Sequence, residues 1–313
     1  MFASRTDPIL WVAIREIRLG QENRLYSTAA WSVNRSLLEM SANTASSPFV
    51  FVHPLWTHRE LLWQFTLRNV ELRHKGSHLG LIWAVLSPLS ILGLQILVFG
   101  YIFKGSFGVL PNETRADYGL GMFLGMSIYQ FVAEVITTAP ILVVSNSSFV
   151  KKVVFPLEII PAAAVGAAFI HTLISLGLVL LGIAFFGQGL TLGVLWLPAV
   201  LVPLVMLCLG MAWFFSALGV FIRDISPLMQ FGATALMFGS AVFYSANKIP
   251  ATAWSVMRFN PVLLAIEVAR DGVLWQRNPN FAYVVYLWLF SAIVCGLGYA
   301  AFKKMKPAFA DVL

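Results

Sequence analysis

Charge is what this sequence lacks most. Asp, Glu, Lys and Arg make up only 11% of its 313 residues, against roughly 25% in a soluble domain. Hydrophobic residues make up 59%. A soluble chain of this length would form one or two domains, but this apolar fraction points to a polytopic membrane protein. Cysteine is also scarce. Cys208 and Cys295 both sit inside apolar runs, which argues against a disulfide framework or a metal site and leaves them as packing residues. There is no Gly-x-x-x-x-Gly-Lys-Ser/Thr phosphate loop, since Lys75-Gly76-Ser77 has the wrong order. No Asp-x-Asp sugar-transfer site, metal cluster or nucleophile–base pair is visible. Nor is a secretory signal, because the apolar stretch Ile9–Ile14 is too short and ends at Arg15.

The charge that is present is informative by its position. A net charge of +7 and a pI near 9.6 could suit nucleic acid. Here, however, the basic residues cluster at the ends of apolar runs, so nucleic acid is excluded as a partner and membrane lipid takes its place. Between Lys75 and Lys104 there is no charged residue at all, a stretch longer than the roughly 20 residues needed to cross a bilayer core. Six such spans are expected, at about 82–103, 118–144, 157–186, 194–221, 228–246 and 281–302. With the N-terminus inside, fifteen of the twenty-one Lys and Arg fall on the cytoplasmic side, so the positive-inside rule gives an N-in/C-in topology.

Residues 1–57 are polar and aperiodic, with a linker at Ser41–Pro48. Met40 is an alternative start, which would make the preceding residues an artefact of gene annotation. The remainder, 58–313, forms the membrane domain. From His58 to Lys75, Glu60, Gln64, Arg68, Glu71 and Lys75 make one narrow polar stripe on an otherwise apolar helix, the pattern of a helix lying in the membrane interface. Residues 187–193 form a tight hairpin. The long connection Asn247–Asn280 is divided by Pro250, Pro261 and Pro279 into two short external helices, about 251–258 and 262–275.

Five segments, taken together, resemble a known family. They are Arg73–Pro88, with its Ser-x-Leu-Gly-x-x-Trp turn; Asn146–Glu158; Phe221-Ile222-Arg223-Asp224-Ile225; Phe259-Asn260-Pro261; and the tail Phe302–Leu313. In that order and with six spans they look like the permease subunits of type-2 ABC exporters, in the branch that exports O-antigen, capsule and teichoic acid polymers. The resemblance covers about 55–313. It implies a homodimeric channel in the bacterial cytoplasmic membrane, driven by two copies of a separate ATPase that bind ATP and Mg. This chain then carries no cofactor and no enzyme site of its own. It also implies a lipid-linked polysaccharide as substrate, O-antigen foremost.

Three groups of residues are candidates for function. Ser147, Phe149, Lys151, Lys152 and Phe155 lie in the one internal connection long enough for a short helix, where an ATPase could push; anchoring of the lysines to anionic lipid is the alternative. Arg68, Arg73 and Lys75, with Leu79 and Gly80 in the following turn, would form a portal beside a lipid-pyrophosphate headgroup. Glu134 is the one acid in the core of a span, and by default a functional candidate. It could pair with His171, bond a sugar hydroxyl or simply fix packing. Phe131, Tyr129, Phe99 and Tyr101 are candidate channel aromatics, whose faces stack on sugar rings without demanding one polar pattern; membrane anchoring is the competing role. Gly121 and Gly125 form a Gly-x-x-x-Gly pattern read as packing within the chain.

The expected function is therefore the permease of a polysaccharide ABC exporter. Alternatives are a proton-coupled secondary transporter using Glu134 and His171, a membrane-embedded transferase, which the missing catalytic groups disfavour, or a same-type exporter of teichoic acid, capsule or a small lipid.

Overall fold

The computed structural model describes residues 52–74, 82–152, 155–187 and 189–313. The expected linker and alternative start lie outside the described residues, as do Lys75, Leu79, Gly80 and the side chains of Lys151 and Lys152. Every regular element among the described residues is helical. In chain order these are α1 (Val52–Thr57), α2 (Arg59–His74), α3 (Trp83–Gln95, continued by a wider π-helix Ile96–Ile102), α4 (Arg115–Ser145), α5 (Ser147–Lys152), α6 (Ile159–Phe186), α7 (Trp196–Phe221), α8 (Ile225–Gly239), α9 (Ala251–Met257), α10 (Pro261–Val273), α11 (Phe281–Met305) and α12 (Phe309–Val312).

Among the described residues, five helical segments are long and apolar enough to cross a membrane: Trp83–Ile102, Arg115–Ser145, Ile159–Phe186, Leu192–Phe221 and Phe281–Val312. Their starts follow local chemistry. Thr114 opens α4 with a capping box: its hydroxyl accepts from the Asp117 N–H at 3.1 Å, and the Asp117 carboxylate accepts from the Thr114 N–H at 3.0 Å. Asn280 caps α11 by accepting from the Ala282 N–H. The α4 helix lies at the centre, 61% buried over its apolar window, whereas α3 is only 11% buried and leaves a long apolar face uncovered. Backbones approach most closely where a Cβ would run into a facing carbonyl: Gly298 of α11 against Gly210 of α7, Gly219 of α7 against Pro140 of α4, and Gly193 against Gly272 of α10. Only glycine lets two backbones meet this way.

The expected fifth span is where the structure departs most from the sequence reading. Residues 228–246 were expected to be one apolar helix, but α8 has 15 residues and ends at Gly239, about 22 Å long against a hydrocarbon core of about 30 Å. The chain then turns through Ala241, which has a φ of 53°, a left-handed conformation uncommon for a non-glycine residue. The stop is held from a distance. Arg270 on α10 is fully buried, and its guanidinium donates to the carbonyls of Ala241 (2.8 Å), Val242 (2.6 Å) and Gly121 (3.0 Å). It also lies 4.4 Å from the Phe107 ring centre and 3.6 Å from Glu267. Burial lowers its pKa to about 10, so it remains charged at neutral pH.

The Gly-x-x-x-Gly pattern makes room for this arrangement. A Cβ on Gly125 would meet the Arg270 guanidinium at 2.6 Å, and one on Gly121 would meet the Phe107 ring at 2.8 Å. The pattern is intramolecular packing, as its sequence suggested. A second link comes from Asn260, which caps α10 by accepting from the Val262 N–H at 3.0 Å and donates its amide to the Gly239 carbonyl at 2.9 Å. The short helices α9 and α10 fall within two residues of their expected limits.

Replacing Arg270 with Leu strands several buried carbonyls and the Glu267 carboxylate. It should destabilise the purified protein by about 3–5 kcal/mol, the loss typical of breaking a buried charge network. Arg270→Lys should recover only part of this, since one ammonium cannot reproduce the planar fork. Thermal unfolding in detergent, wild type against both variants, measures it.

Candidate functional site

Three of the sequence candidates, Arg73, Phe131 and Glu134, meet at one cavity, of about 370 Å³, between the end of α2, the start of α3 and the middles of α4 and α6. Arg73, Trp83, Ser87, Phe131, Glu134 and His171 all line it, with Ser127, Gln130, Thr172 and Ser175 adding polar groups. Arg73 Nη1 donates to Glu134 Oε1 at 2.6 Å. This joins the interfacial helix to the middle of α4 across 61 residues of sequence. Glu134 thus takes a cation from the portal group, and His171 lines the same cavity. The sequence placed Arg73 and Glu134 in separate roles, one at a portal and one in a channel. The structure puts them in contact.

The pair is not sealed: the Arg73 side chain is 42% exposed and that of Glu134 19%. A half-exposed guanidinium beside a partly covered carboxylate can exchange partners with an anionic headgroup or a hydroxyl. A fully buried pair could not do so without a large desolvation penalty.

The second assembly lies at the α4–α6 connection. Helix α5 begins at Ser147, and Phe149, Phe155 and the α2 residue Phe65 form a three-ring cluster. Centroid separations are 5.7 Å for Phe65–Phe149, 5.4 Å for Phe65–Phe155 and 5.0 Å for Phe149–Phe155. The Arg68 guanidinium sits 5.7 Å from the Phe65 ring centre. Aromatic pairs of this kind add about 0.5–1.5 kcal/mol each beyond burial. Phe149 and Phe155, candidates for the ATPase contact, are half-buried against α2. Phe65 was read from the sequence only as part of an apolar face. No local pattern couples it to a loop more than eighty residues away.

The remaining aromatic candidates are scattered. Tyr129 is buried, its hydroxyl donating to the Ala233 carbonyl of α8 at 3.0 Å. Phe99 stacks on Phe243 at 5.2 Å and on Phe103 at 5.7 Å. Tyr101 is exposed, with Arg115 over its ring at 4.4 Å. Phe131 alone of the four lines the Arg73–Glu134 cavity. Beside α5, the C-terminal tail folds back: Lys306 Nζ bonds Glu158 at 2.9 Å, and buried Phe309 packs against Phe302 and Phe221.

A multi-pass helical membrane protein with a partly open polar cavity beside an interfacial helix is a permease-like architecture, and the comparisons give its class. The chain belongs to the ABC-2 type transporter family, whose sequence profile matches residues 60–274. It is 27% identical over 260 residues to an O-antigen export system permease protein RfbA of Klebsiella pneumoniae, covering 81% of this chain and 95% of that relative. It is 23% identical over 263 residues to the protein of the same name from Myxococcus xanthus, covering 83% and 98%. The polysialic acid transport protein KpsM of Escherichia coli is 22% identical over 246 residues, covering 77% and 92%. Membership of an ABC family sets aside the proton-coupled alternative.

A charge swap tests the ion pair. Arg73→Glu and Glu134→Arg should each lower thermal stability, and the double swap should restore most of it. The expected coupling is roughly 1 kcal/mol, as befits a pair with this exposure. Additive losses would show that the two side chains do not interact.

Proposed function

We propose that this chain is the membrane subunit of an ABC exporter that moves a lipid-linked polysaccharide, O-antigen in type, outward across the bacterial cytoplasmic membrane. The observation that carries this reading is coverage. The chain aligns with 95% and 98% of the length of O-antigen permeases from two organisms, so the likeness extends over the whole membrane domain. Two copies form the channel, each joined to an ATPase subunit that binds ATP and Mg, since this sequence has no phosphate loop. The topology is N-in/C-in with six spans, α8 serving as a short fifth one. Its missing length is made up by the turn 240–246 and the Arg270 donors, as a bilayer requires of any interrupted helix.

In this arrangement Arg68 and Arg73, with Lys75, Leu79 and Gly80, frame the portal, and Arg73 transfers its charge from Glu134 to the lipid-pyrophosphate. The aromatics Phe131, Tyr129, Phe99 and Tyr101 are distributed along the route. Ser147, Phe149, Lys151, Lys152 and Phe155 receive the ATPase. Because Phe149 and Phe155 are packed on Phe65, force applied to α5 is delivered to α2 and so to the portal.

Deletion of the gene should abolish surface polysaccharide and leave lipid-linked polymer inside the cell, read by blotting of surface and cytoplasmic fractions. Unchanged surface polymer would refute the assignment. Phe149→Ala should leave the permease in the membrane and the complex with the ATPase intact or weakened, while lowering export per ATP hydrolysed several-fold. Phe65→Ala should do the same, because it removes the other half of the linkage. Export and ATPase rates measured together in reconstituted vesicles check both.

A further inference from the structure

A second polar cavity lies at the opposite end of the molecule, of about 650 Å³, between the 103–114 loop, α9, α10 and the start of α11. We propose that it is a saccharide-binding site that holds neutral sugar units of the exported glycan as they leave. This rests on the polysaccharide-export reading above and deepens it, since nothing in that reading requires a site outside the channel.

The cavity falls in the ordinary size range of ligand pockets, ~300–1,000 Å³, and its walls are of two kinds. Trp254, Trp275 and Tyr283 supply aromatic surface, and Glu267, Asp271 and Asn278 supply polar groups. Glu267 and Asp271 are one helical turn apart on α10 and so share a face. Glu267 is 8% exposed, yet its buried Oε1 has no hydrogen-bond partner. The nearest cation, Arg270 Nη1, is 3.6 Å away and already donates to Ala241. Arg277 also lines the cavity, but its Nη2 donates to the Val109 carbonyl at 3.0 Å. The cavity thus sets carboxylates beside the amides of Asn247, Asn278 and Asn280, with Asp271 the carboxylate that Arg270 does not engage. Burial pushes the Glu267 carboxyl above its ordinary value, partly offset by Arg270 and by the Ala246 backbone.

These features select among ligands. With Glu267 paired to Arg270 and Arg277 beside Asp271, the cavity has no surplus of positive charge to draw phosphates or acidic sugars. Aromatic walls are poor surroundings for a hydrated metal ion, which prefers oxygen on every side. A neutral pyranose meets both demands: its hydroxyls donate to carboxylates and its C–H face lies against indole.

The test uses the full permease–ATPase complex in lipid nanodiscs. The probe is the lipid-free oligosaccharide released by mild acid from the cell's own surface polymer, with binding read by saturation-transfer NMR. Asp271→Asn and Trp254→Ala, which leave the Arg270 network untouched, should each weaken binding about tenfold, the loss of one charge-assisted hydrogen bond or one stacking wall, and slow the appearance of surface polymer. Glu267→Gln should do the same if it retains the wild-type unfolding temperature. Wild-type binding in both Asp271→Asn and Trp254→Ala would overturn the proposal. A thermal shift with CaCl2 alone, abolished by the same variants and with no response to oligosaccharide, would overturn it in favour of a cation site. Failure of this site is separable from failure of the export reading. The site alone falls if gene deletion blocks surface polymer while these variants bind and export normally, and the export reading falls if deletion has no effect.

Discussion

A buried backbone that leaves its helix has no water to turn to, and the structure is organised around one place where that happens. When α8 stops at Gly239, the carbonyls of the turn, buried at Ser240, Ala241 and Val242, need donors from elsewhere in the protein. Arg270 provides them, and in doing so fixes three elements at once: the turn after α8, the second turn of α4 at Gly121, and α10 itself. The guanidinium is suited to this because its donors lie in one rigid plane and stay charged despite burial. Placing it there requires two glycines on α4, a phenylalanine from the 103–114 loop to cover its face, and an acid one turn before it. The acid, Glu267, is buried with an oxygen 3.6 Å from the guanidinium.

The same economy of contacts appears at the other end. Arg73 and Glu134 join α2 to α4, Phe65 joins α2 to the α4–α6 connection, and Lys306 with Glu158 fastens the C-terminal tail to the start of α6. The first two tie α2 into the helical bundle.

The long apolar runs, the helix that precedes them, the proline-divided pair of short helices and the packing role of Gly121 and Gly125 were all legible in the sequence, because each depends on periodicity or on residues within a few turns. The length of the fifth helix was not. Residues 228–246 are apolar throughout except for polar uncharged positions, and the signal that ends the helix is an arginine about thirty positions downstream. The Arg73–Glu134 pair was half legible: a lone acid in a span asks for a partner, but His171 was the nearer guess. The Phe65 cluster was illegible, since one phenylalanine on an apolar helix face cannot announce which distant ring it will meet.

The glycine contact between α7 and α11 bears on how such a molecule can work. Two backbones in direct touch at Gly210 and Gly298 leave no layer of side chains to re-sort, so these helices cannot slide or roll past one another by small rotamer changes. They form a rigid plate. Helix α7 is held in the same way to α4, where Gly219 meets the Pro140 carbonyl, so any relative motion within the bundle carries α4, α7 and α11 as one body.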